Sequence, residues 1–156
     1  MNVDRSCAQA LADTVQACRE LIDIRFAGQF DEGAAAMLLA DGTIVTGTAP
    51  ACVNPSVEVC HEIEPFCAAY RLDQPVRASI CLHREDAERF VVLSPCGVCR
   101  ERLAIYGPDV LVAVPGEDAA QIVWKPLCEV HGDYWRAPFL PRQEAERWRQ
   151  GVAPSV

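Results

Sequence analysis

Ser94-Pro95-Cys96-Gly97-Val98-Cys99-Arg100 places two thiols three residues apart at the start of an expected helix, where both can face one ion. A third thiol, Cys60, stands near the start of another expected helix, followed directly by His61 and Glu62. Thiols bind metals as thiolates, and the free N–H groups and dipole of a helix N-terminus favour that charge. Zinc held by three protein ligands keeps a fourth position for water, whereas a structural site normally closes with a fourth Cys or His. Cys60, Cys96 and Cys99 are therefore the expected ligands of a catalytic Zn2+. Three thiolates leave that centre with net negative charge, so a bound water would be a poor acid unless a cation drew charge from the sulfurs. Arg100 is the candidate donor to a thiolate, set against the plainer reading of a solvated helix arginine.

Glu62 follows Cys60 by two residues, a spacing that on a helix turns side chains well apart. One can grip the metal while the other flanks the water and moves protons, so Glu62 is the expected catalytic acid and base. Alone it would read as an exposed helix glutamate. A ligand two residues before Glu, then Pro-Cys-x-x-Cys, is however the established signature of zinc-dependent deaminases. Two readings compete outside that class: a zinc-stabilised binding module without chemistry, and a redox pair formed by Cys96 and Cys99. Deamination of a base within a polynucleotide is a further alternative.

Outward from these motifs, the 156 residues match one ordinary domain, long enough to bury a full core without disulfides. Apolar residues make up 51% and charged residues 23%, a globular composition. Against 22 acidic residues there are 14 basic ones, and the net charge of −8 disfavours long nucleic acid or an anionic membrane as partner. No apolar run approaches the roughly 20 residues of a membrane span, and the N-terminus lacks a secretory pattern. A cytoplasmic location is expected. In a reducing compartment, the other cysteines (Cys7, Cys18, Cys52, Cys67, Cys81 and Cys128) read as free thiols, mostly buried.

Ser6 and Gln9 suggest a capping box for an amphipathic helix over about residues 7–26, with Ala8, Leu11, Val15, Cys18 and Ile22 as its apolar stripe. Asp41-Gly42 joins strands at 34–40 and 43–47 in a hairpin. A stripe of Val59, Ile63, Phe66 and Tyr70 predicts a helix over 57–72 opening at Ser56. Strands at 76–83 and 90–93, a helix at 97–106 and a strand at 110–114 follow. The expected fold class is α/β: three layers, a mixed central sheet with helices on both faces. Residues 1–136 are read as the catalytic domain and 137–156 as a C-terminal tail or arm, whose Trp148 either docks on the domain or a neighbouring subunit, or stays exposed.

The chain resembles the cytidine deaminase family, specifically its blasticidin S deaminase branch. The Ser94 to Arg100 run is nearly the family's whole second motif. Phe30-Asp31-Glu32-Gly33-Ala34-Ala35 is similar to the opening of its first strand, and Asp41-Gly42 and Thr46-Gly47 fall where its hairpin puts them. The resemblance covers roughly residues 30–135. It implies a cytidine-deaminase-like fold, a zinc-dependent hydrolytic deaminase that releases ammonia from an aminopyrimidine nucleoside or related amino-heterocycle, and a homotetramer, with a homodimer as alternative. It further implies Phe30 stacking on the ring, against a core aromatic as the plain reading, and the backbone at Ser94 and Pro95 receiving the departing amine. In the family register the ribose-holding Asn and Glu fall on Ala49 and Ala51, which have no hydrogen-bonding side chain. Asn54 or Glu58 would have to replace them for a plain ribose to bind. His61 stands where the family usually has Ala, and reads as a spectator on the helix surface or as a substrate contact. His83 and His131 read as structural or surface residues. Tyr134 and Trp135 lie in a region that closes over the family's pocket, with core packing as the plainer reading.

Overall fold

The computed structural model describes residues 2–150. Helix α1 (Asn2–Arg25) leads into the hairpin β1 (Glu32–Leu39) and β2 (Ile44–Gly47), then α2 (Ile63–Arg71), β3 (Val76–Arg84) and β4 (Phe90–Leu93). Helix α3 (Gly97–Leu103), strands β5 (Leu111–Pro115) and β6 (Ile122–Pro126), and helices α4 (Leu127–His131) and α5 (Arg142–Gln150) complete it. Gly42, at φ 89°, supplies the positive angle that the β1–β2 turn requires.

The strands form one six-stranded sheet in the order β2-β1-β3-β5-β6, with β4 also paired to β3. β3 and β5 run parallel and every other pair is antiparallel, so the sheet is mixed. One edge of β3 is shared. Ala78 and Ser79 pair with β5, whereas Cys81 to Arg84 pair with β4, whose last paired residue, Leu93, lies opposite Cys81. The chain leaves the sheet at that switch of partners and turns through Ser94-Pro95-Cys96 into α3. Such switch points open a crevice at the edge of a sheet.

The period-two alternation of strands sorts the core into two layers. Ala34, Ala36, Ile80, Leu82, Val92 and Ala113 face Cys18 and Ile22 of α1 and Phe26 just beyond its end. Met37, Leu39, Val112 and Val114 face the other way, onto Ala69, Leu103, Leu127 and Trp148. Val76 joins that second group because the register shifts by one residue opposite Leu38 and Leu39, a bulge that turns the start of β3 over. The result is the three-layer α/β architecture expected from the sequence.

Three details differ from expectation, and the docking of Trp148, left open by the sequence, is decided. Helix α1 begins at Asn2, so Ser6 lies inside it and caps nothing, and Gln9 donates to Asp13 instead. The second helix starts at Ile63 rather than near 57. Asn54, not Ser56, caps a single 3-10 turn at Pro55–Val57, and Glu58 then adopts an extended conformation with its carboxylate taking the Cys52 N–H, which breaks the helix. Strand β6 and helix α4 had no distinct sequence signal. Trp148 is 3% exposed and stacks on Tyr134 with centroids 4.2 Å apart, so α5 docks on the domain's own core. Arg147 forms an ion pair with Asp109 at the same seam. Among the described residues, no helix is long and apolar enough to cross a membrane.

Candidate metal and catalytic site

Cys96 is the N-cap of α3 in an extended conformation, which aims its side chain at the helix's first turn, and Cys99 follows one turn on. Cys60 arrives from a different element. It sits in the turn before α2, closed by a hydrogen bond from the Ile63 N–H to the Cys60 carbonyl at 3.1 Å. Its position is therefore just ahead of the helix rather than on its first turn. The three sulfurs lie within 4.8 Å of one another, and those of Cys60 and Cys96 are 3.4 Å apart. Tetrahedral zinc, at about 2.3 Å from each sulfur, needs separations near 3.8 Å, so the donor set fits that ion. Among the described residues no fourth Cys, His, Asp or Glu joins the cluster.

The thiols differ in exposure: Cys99 is buried, Cys60 half-buried and Cys96 exposed. Burial pushes the Cys60 and Cys99 thiols up. Burial also acts on Cys96, but hydrogen bonds from the Cys99 N–H, the Cys60 and Cys99 thiols and the Val98 N–H together outweigh it and bring that thiol below its ordinary value.

Glu62 occupies the N-cap position of α2 with its carboxylate turned inward, and is 6% exposed. Burial raises its carboxyl above the ordinary carboxylate range, against the opposing pull of the neighbouring Cys99 thiol. A carboxyl whose hold on its proton is strengthened by burial, lying beside three thiols, can both accept and return a proton.

Arg100 departs from expectation. Its Nε donates to the Pro95 carbonyl at 2.8 Å and its Nη1 to the Val130 carbonyl at 3.0 Å, and neither bond reaches a sulfur. It is half-buried rather than solvated and ties the Ser94-Pro95-Cys96 turn to α4. Phe30 is 51% exposed, which removes the core-aromatic reading, and it lies just before β1. Ser94 is exposed and Pro95 buried at the mouth of the turn. Tyr134 is core, whereas Trp135 lies on the surface and donates from Nε1 to Glu101 at 3.0 Å.

His61 is not a spectator. Its Nδ1 accepts the Ala49 N–H at 3.1 Å and lies 3.1 Å from Thr48 Oγ1. Burial pushes this imidazole below its ordinary value, which keeps it neutral. Thr48, Glu64, Gly33 and Gly47 complete the arrangement, and residue spacing alone assigns them no role because their partners are 12 to 16 residues away. The two glycines carry a signal in retrospect. A Cβ at Gly47 would stand 2.5 Å from Glu64 Cβ and Pro65 Cδ, and one at Gly33 would stand 2.7 Å from His61 Nε2.

Solved structures place this geometry in a known group of proteins. The chain is similar to the cytidine deaminase from Bacillus anthracis, with 35% identity and a TM-score of 0.75 over 88% of this chain and 96% of that one. It is also similar to a variant cytidine deaminase from Mycobacterium tuberculosis, with 26% identity and a TM-score of 0.55 over 69% and 79% of the two chains. No family model and no curated protein sequence matches the chain. The fold and the three-thiol cluster define a deaminase-type α/β protein, and the chain belongs to the cytidine deaminase family.

Proposed function

We propose that the protein is a zinc-dependent hydrolytic deaminase acting on an aminopyrimidine or related amino-heterocycle whose substituent is not a plain ribose. The observation that carries the catalytic part is the buried Glu62 carboxyl beside three converging thiols that have, among the described residues, no fourth protein ligand. Cys60, Cys96 and Cys99 would hold the ion, and zinc bound there supplies a Lewis acid that activates water at neutral pH. In the reaction a C–O bond forms at the amine-bearing ring carbon, the C–N bond breaks and ammonia leaves. Glu62 accepts a proton from the attacking water and passes it to the ring nitrogen, then accepts the proton of the newly formed hydroxyl and passes it to the departing amine, so it is regenerated. Arg100 fixes the Pro95 carbonyl at the mouth, where the amine would depart, and Phe30 offers an exposed ring for stacking. The acidic chain and small-molecule chemistry argue against long nucleic acid as substrate.

The substrate part rests on the segment after β2. Ala49 and Ala51 offer no side-chain hydrogen bond. The two residues that could replace the missing groups are engaged elsewhere: Asn54 Oδ1 takes the Ser56 N–H and hydroxyl, and Glu58 Oε1 takes the Cys52 N–H. A site that gains discrimination by hydrogen-bonding a hydroxyl loses it when those groups go. The test is an ammonia-release screen of the zinc-loaded protein against cytosine, cytidine, deoxycytidine, blasticidin S and other amino-heterocycles. Cytidine and deoxycytidine should rank below a substrate without a plain ribose. If either had the highest kcat/KM, the ribose argument would fail; ammonia release from none of them would sink the deaminase reading itself.

A further inference from the structure

The segment leaving β2 is held against the start of α2 by side chains on both sides of Glu62. Glu64 Oε2 accepts the Thr48 N–H at 2.9 Å, His61 Nδ1 accepts the Ala49 N–H at 3.1 Å, and the Thr48 hydroxyl donates to the Gly33 carbonyl at 2.7 Å. Because Nδ1 receives an amide hydrogen, the ring carries its own hydrogen on Nε2. That nitrogen lies over Gly33, where a Cβ would come within 2.7 Å of it and within 2.9 Å of the Leu82 carbonyl. Glycine at 33 is therefore the space into which the imidazole of His61 fits. Three elements meet on this ring: the start of β1, the exit of β2 and the turn that carries Cys60.

Ala49 and Ala51 present only backbone and methyl groups, so whatever the 48–51 segment does for a substrate depends on where its backbone runs. The Ala49 amide is fixed by the residue next to Cys60 in sequence. We propose that His61 is a positioning residue that sets the course of the 48–51 backbone beside the thiol cluster, so that the site selects substrates by the shape of this wall rather than by side-chain hydrogen bonds. This rests on the deaminase reading for its substrate consequence, whereas the positioning itself does not. An imidazole is needed because alanine at 61 reaches neither Thr48 nor Ala49. Asparagine, with an acceptor oxygen near the place of Nδ1, can restore the bond to the Ala49 amide.

The experiment compares the zinc-loaded parent with His61→Ala, His61→Asn and Thr48→Val. Hydrogen exchange is followed on the 48–52 peptide, and KM and kcat are measured for whichever of cytosine, cytidine, deoxycytidine and blasticidin S the parent deaminates fastest. In His61→Ala the peptide should exchange at least about fivefold faster and KM should rise about three- to tenfold, the span expected for losing one hydrogen bond, with kcat within about twofold. His61→Asn should recover most of both. Unchanged exchange in His61→Ala, or faster exchange with KM untouched, would overturn the proposal. If His61→Ala fails to fold or to hold zinc, Thr48→Val decides by the same two readouts, since it removes the hydroxyl that touches both Nδ1 and Gly33. A parent that releases no ammonia defeats the deaminase reading, and the exchange measurements then still decide whether His61 positions the segment.

Discussion

Glu62, Cys60 and Cys99 owe their raised proton affinity to burial, whereas the exposed Cys96 is shifted the other way by hydrogen bonds at the start of α3. Burial keeps Glu62 protonated further toward neutrality than an exposed carboxylate, which suits a group that must give back the proton it takes. Glu62→Gln should keep fold and metal, since the amide has the same shape, and lose turnover by at least about a hundredfold because it carries no titratable proton. Zinc content and ammonia release on the same sample check this, and activity within about tenfold of the parent would contradict it. Each of Cys60→Ala, Cys96→Ala and Cys99→Ala should remove zinc, whereas Cys67→Ser should not. Cys67 is exposed on α2 and lies outside the cluster. Metal analysis after dialysis is the measurement, and zinc retained at one equivalent by Cys60→Ala would show the ligand assignment to be wrong.

At the scale of elements, α5 behaves as part of the second core layer. Trp148 packs on Tyr134 and lies edge-on to His131 with centroids 6.0 Å apart, and Ala145 on the same helix is buried as well. Truncating a buried tryptophan removes its transfer energy and leaves a cavity, so Trp148→Ala should destabilise the protein by about 3–5 kcal/mol. Urea unfolding followed by circular dichroism tests this. A loss below about 1 kcal/mol would mean that α5 contributes little to the fold. The apolar periodicity that announced α1 worked because that helix packs one face on one layer, whereas β1 is buried on both faces and was marked instead by its apolar run and the Asp41-Gly42 turn. Periodicity misplaced the start of α2 because the stripe through Val59 continues across an extended Glu58, and only the carboxylate bond to Cys52 explains the break.

For the whole molecule, the surface carries large apolar side chains that the single chain leaves in water. Val53, Val57 and Val59 follow one another around the 53–59 loop, and Phe30, Val98, Ile105 and Phe139 are exposed elsewhere. Exposed apolar side chains that cluster into a patch are characteristic of surfaces that meet another chain. We propose a homotetramer, with a homodimer as alternative, in which such surfaces are covered by further copies. Light scattering of the zinc-loaded protein should give the mass of four chains. The mass of one chain would defeat the proposal.

Sequence alone determined the three-layer α/β class, the convergence of Cys60, Cys96 and Cys99, and the pairing of Glu62 with them. The fold class and the Cys96–Cys99 pair are set by local patterns, namely alternation along strands, a stripe along a helix and thiols one helical turn apart, whereas Cys60 and Glu62 are joined to that pair by the deaminase signature. It also showed that Ala49 and Ala51 lack hydrogen-bonding groups, a property of the residues themselves. Only the tertiary structure decided that Arg100 grips Pro95 and Val130 rather than a thiolate, that Asn54 and Glu58 are engaged in their own loop, and that His61 joins β1 to the segment after β2. A polar side chain with several hydrogen bonds within reach takes the one its packed neighbours bring to it, and those neighbours come from strands and turns that the sequence keeps far apart.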